Sequence, residues 1–417
     1  MWTTAYHITH SVGLFKNRGV AIVLAGILLL SAFGPIFSEL KLGPVSVWAA
    51  ITIIYVVFLW GEWLFLLRPV SRTLLLRLLP LLLFMAWAWC SLVWYKVTLA
   101  GLQNLILMTA FLGSIMQAAH LARRAPERVR WVVGGLEWGI WIALAIYGIG
   151  LWKEGVGAKE LLHSRSFAMF ALTGLAWQLA QVRGGRRVSY WQVGFILGAI
   201  IVSLSRAVMG AALIMVLLAY FRPTGKGIIQ FMVIASLAVA STVMLFRHFE
   251  PLKERFTQGD LRSVEVLAVG KVAVNMSGRN MLWEITLRSA QGHWWFGKGA
   301  GAVQEEISSV FNGKLEHPHN EYLRLLHDYG VIGLLFFLIS YFSLAWRSWK
   351  AYQQEYIQAY SGTIHLASTL ALVGQAIVMI TDNSLVYLFA IVPVGIMCGL
   401  SLGKMNRVRR KQKTFPA

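Results

Sequence analysis

The residues of this chain best suited to chemistry lie together in His317-Pro318-His319-Asn320-Glu321-Tyr322, a polar segment that closes a long hydrophilic stretch and leads through Gly330-Val331-Ile332-Gly333 into an apolar run. Pro318 fits the first position of a helix, where its missing N–H costs nothing, which makes His317 the cap and places His319 in the first turn. The positive end of the helix dipole disfavours an imidazolium there, so His319 is a candidate general base, a role worth roughly 10²–10⁴ in rate. A structural reading, in which His317 and His319 only cap the helix, accounts for the same spacing. A metal site is the third reading. His317 and His319 would supply two ligands and His293 or His327 another, but no carboxylate pair or cysteine cluster stands nearby to complete the set, so neither metal nor cofactor is expected.

Arginines offer the complementary chemistry. Arg206, in Ser203-Leu204-Ser205-Arg206, stands at the mouth of an apolar run, where a charge is costly unless it pairs or serves. Its guanidinium fork matches phosphate oxygens two at a time, with snorkelling to the interface as the structural alternative. Arg279 follows Gly278 at the start of a predicted helix and has no acidic residue four positions away. Arg288 does have one, Glu284 at i−4, so an ordinary surface ion pair competes with phosphate binding. The Gly297-Lys298-Gly299-Ala300-Gly301 turn has backbone amides and a lysine to offer a phosphate, but outside a strand–turn–helix context it reads better as a hinge. Asp382 and Asn383 form the one strongly polar pair between the last two apolar runs; lining a cavity and ending a helix explain them equally.

What must position these groups is a membrane bundle. With 57% hydrophobic and 13% charged residues among 417, the chain is too apolar for an ordinary soluble protein. Twelve apolar runs, at 18–37, 45–66, 74–95, 98–118, 131–151, 166–182, 188–204, 207–221, 227–246, 329–346, 363–380 and 384–403, are predicted as transmembrane helices. Three parts follow: residues 1–246 with spans one to nine, an external loop over 247–328 carrying the candidate residues, and 329–417 with spans ten to twelve and a basic tail. Within the loop, 261–274 and 280–289 read as short helices near the membrane surface. The first sixteen residues lack the apolar core and cleavage site of a signal peptide, so the N-terminus reads as retained. Cys90 and Cys398 both fall inside spans, and no disulfide between them is expected.

The net charge of +20 is an orientation signal. Of 38 Lys and Arg, 22 fall at the N-terminus, in alternate short loops and in the tail, while the long loop balances ten basic residues with ten acidic ones. Basic loops stay in the cytoplasm, so both termini are predicted there and the loop outside. The remaining excess attracts anionic membrane lipid rather than nucleic acid. A transporter would carry its charges near the midplane, whereas here they gather at the outer span ends. No P-loop occurs, so ATP hydrolysis is not expected.

With Ser205-Arg206 at the top of a span, Gly278-Arg279 followed by Trp283 and Glu284, the Gly297/Gly299/Gly301 turn, and His319-Asn320 followed by Gly330 and Gly333, the second half of the chain resembles the bacterial O-antigen ligases. These are related to the O-antigen polymerases and the bacterial O-oligosaccharyltransferases; spans one to six match only in hydropathy. The resemblance implies an all-α integral membrane glycosyltransferase of the membrane-embedded GT-C type, in the bacterial inner membrane with its active site facing the periplasm. It would transfer a glycan from an undecaprenyl-diphosphate donor to a sugar of a lipid A-core acceptor. By the same resemblance His319 is the catalytic base and Arg206 and Arg279 hold the diphosphate with help from Arg288. His317, Asn320 and Tyr322 would support them, in a metal-independent inverting displacement. A polymerase or protein O-oligosaccharyltransferase would use the same donor and differ in the acceptor.

Overall fold

The computed structural model describes residues 17–42, 45–64, 70–221, 224–257, 266–269, 272–275, 278–359 and 362–414. Each of the twelve apolar runs is a helix. After α1 (Asn17–Glu39) a small hairpin of β1 (Lys41–Leu42) and β2 (Val45–Ser46) leads to α2 (Val47–Leu64), α3 (Arg72–Cys90), α4 (Leu99–Arg124) and α5 (Val129–Glu154). The next four are α6 (Ser164–Arg183), α7 (Ser189–Val202), α8 (Arg206–Tyr220) and α9 (Gly225–His248). The hydrophilic stretch holds α10 (Glu250–Thr257), a hairpin of β3 (Val266–Val269) and β4 (Val272–Asn275), α11 (Arg279–Ser289) and α12 (Ala302–Val310). The chain closes with α13 (Glu321–Ala359), α14 (Thr363–Val378) and α15 (Leu388–Thr414).

Among the described residues, α1, α3, α4, α5, α9, α13 and α15 are long and apolar enough to cross a membrane, and α2, α7, α8 and α14 are apolar but shorter. The protein is therefore an integral membrane protein built from helices. α6 lies at the centre: Phe167 to Ala180 are buried without interruption, which is where a helix apolar on all sides belongs. α15 runs close along α4 because Gly395, Gly399 and Gly403 recur every fourth residue. A Cβ at Gly399 would stand 2.3 Å from the Ile115 carbonyl oxygen, and one at Gly403 2.4 Å from that of Ala119. Such spacing lets helix backbones touch where lipid supplies no hydrophobic drive. α9 lies outside this core, with none of its apolar window buried.

Two expectations for the loop change. The helix expected over 261–274 is instead, where described, the β3–β4 hairpin, whose Val266, Val269, Val272 and Val274 are β-branched residues suited to strands. The glycine turn at 297–301 is neither a hinge nor a phosphate cradle, since its amides are used inside the protein. α13 is broken at Gly330, where φ is +66° and helical bonding fails. Lys298 and Gly299 donate their N–H groups to the exposed carbonyls of His327 and Asp328 at that break, at 2.9 and 2.8 Å. The Asp328 carboxylate in turn accepts from Gly301 and Val303 at the start of α12, at 3.1 and 3.0 Å. A Cβ at Gly330 would fall 2.2 Å from the Trp295 carbonyl oxygen, so glycine is needed there for both conformation and space. The turn is a packed joint that fastens the loop onto the first segment of α13.

Candidate functional site

The segment before α13 is set by one residue. Asn320, not His317, caps the helix: its Oδ1 accepts from the Leu323 N–H at 3.0 Å, and α13 begins at Glu321. Asparagine is among the strongest N-caps, and it overrides the helix start that Pro318 suggests. His319 consequently lies outside the helix, in the left-handed region at φ +51°, a conformation in which histidine is enriched over most residues. On one side the Pro318 carbonyl accepts from Trp283 Nε1 at 2.9 Å, which ties the segment to α11. On the other, Glu321 holds the turn between α14 and α15. Its N–H donates to the Met379 carbonyl at 2.9 Å, and its Oε1 accepts from the Leu385 N–H at 2.8 Å while its other oxygen pairs with Arg324.

This clamp delivers Asp382 to His319. His319 Nδ1 lies 3.5 Å from Asp382 Oδ1, and Arg165 Nε, from the first turn of α6, lies 3.7 Å from Asp382 Oδ2. Burial opposes the charge on Asp382, but the contact with His319 and the positive charges of Arg165 and Arg279 outweigh it and hold the carboxyl below the usual carboxylate range. Arg279 is under strain of charge. Burial presses against it, Asp382 supports it, and Arg165 and Arg255 repel it, so its proton is held less tightly than that of an ordinary arginine. Arg206, the first residue of α8, stands in the same field of Arg279, Arg255 and Arg165, its guanidinium 5.5 Å from the Phe256 ring centre. A cavity of ≈ 250 Å³ opens beside the cluster, lined by Lys159, His163, Arg165, Ser205 and Arg255 among others. Arg165 and Arg279 act on the buried Asp382 carboxylate, and Arg206 and Arg255 add to the positive charge around them, so one end of the bundle carries an excess of positive charge. An anion with several oxygens would relieve their mutual repulsion and fit their forks.

Sequence reasoning singled out Arg206, Arg279 and His319 of this cluster and missed Arg165, Arg255, His163 and the role of Asp382. Residues 191–338, which carry most of the loop-side residues, match the model of the O-antigen ligase family. Over that stretch the chain is similar to the O-antigen ligases. A search of the curated proteins finds no match. The matched stretch runs from α7 into α13 and includes Arg206, Arg255, Arg279 and His319, while Arg165 and Asp382 lie outside it.

The remaining predicted residues make contacts of their own. Arg288 is 74% exposed and paired with Glu284, the alternative its i−4 spacing offered. It does not figure among the charges acting on Asp382 or Arg279. Arg288→Ala is expected to leave the transfer rate within about twofold of wild type and to shift stability by less than ~0.5 kcal/mol, measured by turnover and thermal melting. Tyr322 donates its hydroxyl to the Ala376 carbonyl at 2.8 Å and so fastens α13 to α14, and Asn320 acts as the cap. Among the described residues, no three His, Cys, Asp or Glu side chains gather where a metal ion would sit.

His317 is partly buried, and burial together with the nearby charges of Arg324 and His319 pushes its pKa down to about 4, against a weaker pull upward from Asp382. An unfolded histidine titrates near 6.5, so between that value and about 4 the unfolded chain binds a proton that the folded protein refuses. Stability is therefore full above the unfolded value and is lost as pH falls through this window. Melting temperatures of wild type and His317→Gln, compared at neutral pH and near the lower limit, are expected to show a shallower acid loss in the variant.

Proposed function

We propose that the protein transfers a glycan from undecaprenyl diphosphate to a sugar hydroxyl of a lipid A-core acceptor at the outer face of the bacterial inner membrane, with twelve spans and both termini in the cytoplasm. The observation that carries this reading is the convergence of His319, Asp382 and the arginines 165, 206, 255 and 279 at one end of the bundle. Asp382 faces Nδ1 of His319 and steers the ring, which leaves Nε2 as the atom that takes the acceptor proton. As that proton leaves, the acceptor oxygen forms its bond to the anomeric carbon, and the bond from that carbon to the diphosphate oxygen breaks. One displacement inverts the anomeric centre. The charge that develops on the leaving diphosphate meets guanidinium groups already fixed around it, which is the electrostatic work a divalent cation does in other enzymes.

The same donor site would serve a polymerase, whose acceptor is a second carrier-linked glycan. Purified protein given undecaprenyl-diphosphate-linked glycan, with and without lipid A-core, separates these readings. Ligation supports the proposal when a lipid A-core-linked glycan appears only with that acceptor. Chain growth on the carrier alone favours polymerisation, and no product from either mixture contradicts both.

A further inference from the structure

A second cavity, of ≈ 460 Å³, lies at the opposite end of the bundle, where α4 and α6 end, α5 and α14 begin and α15 passes. Its lining is amphipathic. Arg130, Arg186 and Lys404 line it together with one carboxylate, Glu137, while Val133 and Leu400 are among its apolar walls. Glu137 Oε1 is already shared between Trp177 Nε1 at 2.9 Å and Arg186 at 3.1 Å, and Lys404 is 2.8 Å from Glu355. The carboxylates present thus answer two cations, and Arg130 adds a third.

The wall itself has a gap. Gly134 and Gly135 are neighbours in α5, and at Gly135 a Cβ would fall 2.4 Å from the Ala25 carbonyl oxygen, so close packing on α1 requires glycine. At Gly134, which lines the cavity, a Cβ would meet nothing within 4 Å. A glycine inside a helix costs roughly 1 kcal/mol relative to alanine, and no packing contact accounts for this one.

We infer that this cavity binds an anionic membrane phospholipid, with Arg130 and Arg186 on the headgroup phosphate and an acyl chain along Val133 and Gly134. The charge fits a phosphodiester, whose oxygens take guanidinium N–H groups in pairs. The apolar wall fits the chain, and basic pockets between membrane helices at the end where Lys and Arg gather are suited to anionic headgroups. Arg123, Arg124, Arg128, Arg183 and Arg187 sit at this same end. Free phosphate would use the cations but not the wall. Nothing in this inference depends on the reaction at His319.

The test uses the full-length protein in a non-ionic detergent, titrated with phosphatidylglycerol or phosphatidylcholine and read by native mass spectrometry. Phosphatidylglycerol adducts are expected to exceed phosphatidylcholine adducts and to fall about tenfold or more in the Arg130→Gln/Arg186→Gln variant, from the lost charge-assisted hydrogen bonds. Gly134→Leu keeps every charge and improves helix propensity, yet it fills the wall and is expected to lower binding as well. It carries the test alone if the double variant does not fold. Equal binding of the two lipids, wild-type binding by Gly134→Leu, or displacement by inorganic phosphate as effective as by phosphatidylglycerol would each overturn the inference.

Discussion

Replacement of His319 by alanine is expected to lower glycan transfer by about 10²–10⁴-fold, the range lost with a general base. Melting temperature and equilibrium binding of undecaprenyl diphosphate should stay near wild type. The separation follows from how the segment is held. The Trp283 bond to the Pro318 carbonyl and the Asn320 cap fix its backbone, and neither uses the imidazole. The ring contributes one 3.5 Å contact to Asp382, which keeps Arg165 when the ring is gone. Single-turnover transfer with labelled donor measures the effect directly. A variant that folds and turns over at the wild-type rate would remove His319 from the chemistry.

Asp382→Asn is expected to lower both kinetic parameters, turnover through the lost support of His319 and KM through tighter donor binding. Loss of the carboxylate lets the His319 ring turn and removes the negative charge that would support an imidazolium, so kcat falls roughly 10²–10⁴-fold. The same change leaves Arg165 and Arg279 without the carboxylate that faces them, so the site becomes more positive and the diphosphate donor binds more tightly, which lowers KM. Damage to the fold would act otherwise, lowering melting temperature and weakening donor binding together. Steady-state kinetics and a melting curve on one preparation distinguish the two, and Asp382→Glu should recover part of kcat by restoring the charge.

The bundle was legible in the sequence because membrane helices are written in length and hydropathy: each of the twelve apolar runs became a helix, though α13 and α15 extend about ten residues beyond the runs that foretold them. The site was half legible. Arg206 stands at the margin of an apolar run, where a charge needs a reason, and Arg279 and His319 stand at predicted helix starts in the hydrophilic loop. Arg165 and Asp382 belong to helix ends far from His319 in sequence, and only the packing of α6, α13 and α14 brings them together. Three misreadings in the loop have physical causes. Pro318 suggested a helix start with His317 as its cap, but Asn320 competes for that place, and the cap that satisfies the Leu323 amide wins. The glycine turn looked free because its partners, the carbonyls exposed by the Gly330 break and the Asp328 carboxylate, lie about thirty residues away. The valine-rich segment of the loop mixes charges among apolar residues much as an amphipathic helix does, and its β-branched content was the better guide.

Whether one pocket holds the diphosphate on guanidinium groups beside the His319 ring is decided by a structure of the protein with bound undecaprenyl-diphosphate glycan. The phosphate oxygens are expected within hydrogen-bond distance of Arg206 and Arg279, and the anomeric carbon on the side of the imidazole that faces away from Asp382. A diphosphate bound elsewhere on the bundle, with these arginines and His319 untouched, would contradict this arrangement.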